Sequence, residues 1–356
     1  MASTPGTASR TRSLLVIAAV VAVAAGAFAY TGGWLTPHRL TPDRFLEQFR
    51  LPGGPASGHR RNHAKGLCFT GFFQANGAGS ALSRAVVFTP GQYPVVGRFN
   101  LGSPDPAASD ATTGVRGLSI RITTPDGQQW RSAMINAPEF PVSTPQAFYA
   151  LLAAGRSKDP QAMPRFAASH PGFVAFGKAA ARQVHTASYA GERYNSINSF
   201  IFIDRDGRRH AVRWTLSPAI AQVAATPEEL ASLGTDFLFK DLRERLAQGP
   251  LRFPMTVTVA APTDNTADPN QAWPDERPHV EVGVLAVQQL EDESAGPCRD
   301  INYDPTVLPD GIALSDDPFP AARAAVYARS YDLRTGEEDH YPRTSAPAAD
   351  GTAGAP

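Results

Sequence analysis

Apolar and polar positions change their rhythm several times along the chain. Leu14 to Ala29 is an unbroken apolar run with no charged residue. Thr41-Pro42-Asp43 then offers a capping threonine and a first-turn proline, so a short helix is expected with Phe45, Leu46 and Phe49 on its apolar side. From His63 to Ile135 the pattern becomes short and strand-like: Arg84–Phe88, Tyr93–Phe99 and Gly117–Ile122 read as strands, and Pro125-Asp126-Gly127 as a turn. Pro145 to Gln183 carries Ala, Phe and Leu at helical spacing, with breaks expected at Pro160, Pro164 and Pro171. Strands return at Ser199–Ile203 and His210–Trp214, joined across Asp206-Gly207, a hairpin signal. Thr226-Pro-Glu-Glu229 matches a capping box and opens a helix expected to run to about Gln248. Met255–Ala260 and His279–Val287 are two more strands, and a last helix spans Pro320 to Arg334. Hairpin-linked strands without a recurring strand–helix–strand unit make this an antiparallel α+β chain.

The apolar run also bears on location. Extended from Ser13 to Trp34 it reaches the ~20 residues that a membrane-spanning helix needs. Arg10 and Arg12 precede it, which keeps the N-terminus inside and sends the remainder across the membrane. Ala27-Phe28-Ala29 also fits a signal-peptide cleavage site. Either way the rest of the chain is exported, as a membrane-anchored or a periplasmic protein. The division expected is residues 1–35 as cytoplasmic stub and anchor or signal, 36–342 as one catalytic domain, and 343–356 as a disordered tail rich in Ala, Pro, Gly, Ser and Thr.

Composition narrows the chemistry by exclusion. With 33 basic and 33 acidic side chains the net charge is zero, which removes the long-range attraction that nucleic-acid binding uses. Two cysteines, Cys68 and Cys298, are too few for a disulfide framework or a thiolate metal site; they are either one bridge or two free thiols. There is no G-x-S-x-G, H-E-x-x-H or Walker loop, and Gly77-Ala-Gly79 lacks the third glycine of a dinucleotide fingerprint. The eight histidines are scattered singly.

Two clusters carry more. Arg60-Arg-Asn-His63-Ala-Lys65-Gly66 leads directly into a strand. Arg323-Ala-Ala-Val-Tyr327 is followed by Arg334, and on a helix Tyr327 and Arg334 lie only about 40° and about 20° round from Arg323. A tyrosine flanked by two arginines on one stripe favours the phenolate, an anionic ligand suited to ferric haem. A solvated arginine face beside a half-buried tyrosine has the same spacing. Tyr331, one turn on, is the rival ligand.

Together with Pro94-Val-Val-Gly-Arg98-Phe99, Val115-Arg-Gly117 and Asn136-Ala-Pro-Glu-Phe140, these clusters resemble the haem catalase superfamily, in the same order. The resemblance covers about residues 40 to 335, and the short length and apolar N-terminus look most like its minimal branch, the catalase-related peroxidases. It implies an antiparallel β-barrel core with flanking helices that binds haem b. His63 would be the distal histidine and Asn136 the distal asparagine. Tyr327 would be the axial iron ligand, Arg323 the arginine that keeps it ionised, and Arg60, Arg98 and Arg334 the partners of the haem propionates. Asn100, on the same side of its strand as Arg98, departs from the serine that large catalases carry there. The implied activity is reduction of hydrogen peroxide or organic peroxides by a small organic electron donor, with weak or no catalase activity. The alternatives are a true catalase, fatty-acid hydroperoxide chemistry on the same core, and a non-catalytic haem-binding module that would not need His63 and Asn136 together.

Overall fold

The fold comes from a computed structural model, which describes residues 7–31 and 39–337. The tail expected at 343–356 lies outside them. By its internal contacts the chain divides into residues 1–47 and 48–356, so the larger unit begins twelve residues after the boundary expected at 36. The first unit holds α1 (Thr7–Thr31) and α2 (Pro42–Glu47). Twenty-five residues of α-helix extend about 37 Å, more than the ~30 Å hydrocarbon core of a bilayer. Thr11–Thr31 is long and apolar enough to cross a membrane.

The larger unit contains ten strands and six helices among its described residues. The strands are β1 (Gly66–Ala75), β2 (Gly91–Leu101), β3 (Arg116–Thr123), β4 (Gln129–Ile135), β5 (Tyr194–Asn195), β6 (Phe200–Ile203), β7 (Arg209–Leu216), β8 (Leu251–Val259), β9 (His279–Asp292) and β10 (Ile312–Leu314). Neighbours run β7-β5-β4-β3-β2-β1-β9-β8, and β8 pairs back to β7, which closes an eight-stranded antiparallel barrel; β6 and β10 extend from β7. Closure pairs every barrel edge without a crossover helix.

Alternation along the strands fills the barrel. Phe69, Phe73, Phe99, Trp130, Trp214, Phe253 and Leu285 are fully buried in its core. Trp130 and Trp214 meet edge to face at 5.0 Å, which confirms them as packing residues. The other face of β1 and β2 carries Cys68, Arg98 and Asn100, so the same period that buries Phe99 turns these groups outward from the barrel. There α8 (Phe319–Gly336) lies beside the barrel, tied to β4 through Ala133 and to the segment before β1 through Ser330 Oγ, which accepts from Arg61 N at 3.2 Å.

Three expectations need correction. Arg84–Phe88 is not a strand: Val86–Phe88 forms a 3₁₀ turn, closed by Phe88 N–H to Ala85 O at 3.1 Å and Thr89 N–H to Val86 O at 2.9 Å. Val87 and Phe88 are consecutive and both buried, and a short apolar run carries no period that separates strand from turn. The helix expected from Thr226 to Gln248 is two, α6 (Pro227–Ser232) and α7 (Phe237–Leu246). Gly234, at φ +91°, takes the left-handed conformation that ends the first. The Thr226–Glu229 capping box itself is formed on both sides. Between β4 and β5, α3 (Pro145–Arg156), α4 (Ala162–Ser169) and α5 (Pro171–Ala180) break at Pro160 and Pro171 as expected. Pro164 instead sits in the first turn of α4, where its missing N–H costs no hydrogen bond.

Candidate active site

The site lies on the outer face of β1–β4, between the segment before β1 and α8. Two glycines make the outward face possible. At Gly66, a Cβ would stand 2.2 Å from the Arg98 guanidinium carbon; at Gly117, 2.2 Å from Asn100 Oδ1. In register, Gly66 and Gly117 both face Asn100, on β1 and β3 respectively. The glycines of the His63-Ala-Lys-Gly66 and Val115-Arg-Gly117 motifs are therefore the gaps through which Arg98 and Asn100 pass. Lys65 is structural, as its Nζ reaches Asp110 and Asp236, each at 2.7 Å.

His63 has a left-handed backbone, at φ +54°, unusual outside glycine and better tolerated by His, Asn and Asp than by other residues. Its Nδ1 is shut off from solvent and has no hydrogen-bond partner. Burial first, and then the positive charge of Arg98, Arg323 and Arg60, push its pKa down to about 4, while the side chain of Asn100 acts in the opposite direction. The imidazole is thus neutral at pH 7.

Across the site, Arg323 and Tyr327 lie one turn apart on α8, and Arg323 Nη2 donates to Tyr327 Oη at 3.0 Å. The same guanidinium is held by Asn198 Oδ1 at 2.6 Å and Ala133 O at 2.9 Å. The Arg323–Tyr327 half of the stripe read from the sequence is therefore formed. Arg334 is buried and stacks over the rival tyrosine, Tyr331, 4.9 Å from the ring centre.

Arg60 and Arg98 converge on one carboxylate, Glu293. Arg98 grips it with both prongs, Nε to Oε1 at 2.8 Å and Nη2 to Oε2 at 2.6 Å; Arg60 Nε adds 3.2 Å to Oε1. Burial alone would raise the Glu293 pKa, but Arg98, Arg60 and Arg334 outweigh it and hold the carboxyl at about 2. Sequence reasoning missed Glu293, because it follows β9 in a loop and reaches the arginines only through the fold. Cys68 and Cys298 form a disulfide, which settles the pairing left open above and ties that loop to β1.

Asn136, just past the end of β4, is occupied. Its Oδ1 accepts from Arg116 N–H at 3.0 Å, and its Nδ2 donates to Gly114 O at 2.9 Å and Glu192 Oε2 at 3.3 Å. Glu192 is itself paired with the buried Arg116 guanidinium. None of these hydrogen bonds joins Asn136 to His63. The fold thus gathers His63, Asn100, Arg60, Arg98, Arg323 and Tyr327, and places Asn136 in a neighbouring polar network.

Comparison with known proteins gives the family and the fold. The Catalase family model matches residues 57–348, and the chain belongs to the catalase family. It is 33% identical over 329 residues to a catalase-related peroxidase of Synechococcus elongatus, spanning 91% of this chain and 95% of that protein. It is 34% identical over 302 residues to one of Mycolicibacterium paratuberculosis, spanning 83% and 96%. A bacterial catalase structure superposes with a TM-score of 0.69 at 19% identity, covering 81% of this chain and 60% of that one. A fungal catalase gives a TM-score of 0.70 at 17% identity, with 83% and 66% covered.

Haem is the cofactor that the family implies, and the residues fit it on two observations. An acidic side chain already sits between the arginines expected to take haem carboxylates, which shows that they bind a carboxylate. A phenol hydrogen-bonded by a guanidinium is suited to become an anionic oxygen donor for ferric iron.

Two of the site's shifted groups, His63 and Glu293, set an acid limb. His63 titrates lower in the fold than its ordinary value of 6.5, so its contribution is complete above pH 6.5 and is lost as the pH falls towards about 4. Glu293 behaves likewise, from its ordinary 4.5 down to about 2. Thermal midpoints measured from pH 7 to pH 3 should therefore fall steadily below pH 6.5. The variant His63→Asn should flatten the part between 6.5 and 4, and an unchanged slope would contradict the shift assigned to His63.

Proposed function

We propose that this protein is a haem b peroxidase, reducing hydrogen peroxide or organic peroxides at the expense of a small organic donor. The observation that carries the reading is the Arg323–Tyr327 hydrogen bond on α8, on the same side of the barrel as a neutral, buried His63 whose Nδ1 has no hydrogen-bond partner. The curated relatives that span nearly their whole length in this chain bear the name catalase-related peroxidase.

In this reading Tyr327 would supply the oxygen that holds the haem iron, and Arg323, which donates to that oxygen, favours the anionic phenolate. Arg60, Arg98 and Arg334 take the haem carboxylates. Haem supplies the redox chemistry when bound. His63 would do the proton work: neutral at pH 7, its imidazole could accept one proton from the peroxide and return it to the departing oxygen, which leaves as water. Asn136 orients the outer oxygen only if its Nδ2 turns from Gly114 or Glu192. The N-terminal helix would hold the domain at the membrane, or direct its export, with the enzyme outside the cytoplasm.

The test uses the full chain in detergent, loaded with ferric haem and given hydrogen peroxide with and without a dye reductant. The expected result is dye oxidation in step with peroxide consumption and little oxygen release. Rapid oxygen evolution that ignores the dye would overturn this reading in favour of a dismutating catalase.

A further inference from the structure

We infer that Glu293 is an internal competitor for the haem-carboxylate arginines and thereby limits how tightly the site takes a dicarboxylate haem. This rests on the haem reading above. The fork of Arg98 on Glu293 uses the two parallel N–H···O bonds by which a guanidinium takes any carboxylate, so the Nε–Nη2 edge of Arg98 is already spent. Arg60 spends its Nε on the same oxygen and its Nη2 on Cys298 O and Ile301 O, both at 3.1 Å. All these acceptors come from residues 293–301.

That segment cannot drift away. It leaves the barrel at the end of β9 and is fastened again by the Cys68–Cys298 disulfide, and Cys68 faces Arg98 in the β1–β2 register. Glu293 is thus a tethered anion held against the arginines. Its role follows from charge. Arg60, Arg98 and Arg334 all act on Glu293, and three guanidiniums close together repel one another unless an anion lies among them. Glu293 supplies that anion from within the chain. A haem carboxylate that arrives at the same arginines must displace Glu293 or share their donors with a like charge a few ångströms away.

The experiment compares the haem-free full chain in detergent, wild type and Glu293→Gln. Each is melted alone, then titrated at the Soret band with ferric protoporphyrin haem and with its dimethyl ester, which has no ionised carboxylate. Glutamine keeps the size and removes the charge. The variant should melt at a lower temperature without haem and bind the diacid haem about tenfold more tightly, from relief of one like-charge contact. Its affinity for the diester should be unchanged. Glu293→Asp, which keeps the charge but is too short for the full fork, should show a smaller gain and covers the case of a glutamine variant that does not fold. Diacid affinity that stays the same or weakens would overturn the proposal, as would a diester affinity that rises in step. Failure of the underlying haem reading would show separately, as a wild type that takes up neither haem.

Discussion

Tyr327→Phe should lose haem. The substitution removes one oxygen, the acceptor of the 3.0 Å bond from Arg323 Nη2, and leaves the ring that packs on α8. Removing an outer-shell partner of a metal ligand costs on the order of 10–100-fold in affinity, and loss of the axial ligand itself should cost at least about a hundredfold. Arg323 keeps Asn198 and Ala133, so its guanidinium stays in place and the fold survives. A Soret titration and a melting curve separate the two effects. The expected result is an apoprotein that melts near the wild-type temperature and shows no high-affinity haem band. Tyr331→Phe is the control, because Tyr331 packs against Arg334 and has no bond to Arg323, and it should retain the wild-type spectrum. Haem bound with an unaltered spectrum in Tyr327→Phe would remove the axial role.

The second large effect is expected at His63, on turnover and not on haem content. A positioned general acid–base contributes on the order of 10²–10⁴ in rate, and His63→Asn should lose about that much. Asparagine is preferred to alanine because the backbone at this position is left-handed, at φ +54°, a conformation that asparagine tolerates. Peroxide-dependent dye oxidation should fall by that factor while the Soret band persists. Since the imidazole charges only as the pH approaches about 4, wild-type turnover should hold from neutral pH down to that region and then drop. A His63→Asn enzyme with more than a tenth of wild-type turnover would exclude His63 as the proton shuttle.

Much of this protein was legible along the chain wherever a local rule operates. The Thr226–Glu229 capping box, the hairpin across Asp206-Gly207 and the Arg323–Tyr327 pair on α8 need only residues a few positions apart, and each formed as read. The alternation of Arg98, Phe99 and Asn100 is likewise a property of one strand. Reading failed where two local rules give the same answer, as with the apolar run at Val86–Phe88. It also failed where a local signal is overridden, as at Gly234, whose left-handed turn splits an otherwise continuous helical pattern.

What the sequence by itself determined is therefore the set of groups available: a neutral-charge α+β chain, one apolar N-terminal helix, and the ordered motifs holding His63, Arg98, Asn136 and Tyr327. Only the tertiary structure decided how they meet. Gly66 had to lie opposite Asn100 for Arg98 to cross β1, which barrel register fixes and composition does not. Glu293, 195 residues from Arg98 and 233 from Arg60, enters their site because β9 pairs with β1 and the disulfide holds the loop beyond it. Asn136 turned instead into the Arg116–Glu192 network, since a buried carboxylate and a backbone carbonyl satisfy its amide there. Coulomb and hydrogen-bond energies depend on distance in space, and chain separation fixes that distance only for neighbours within a single element.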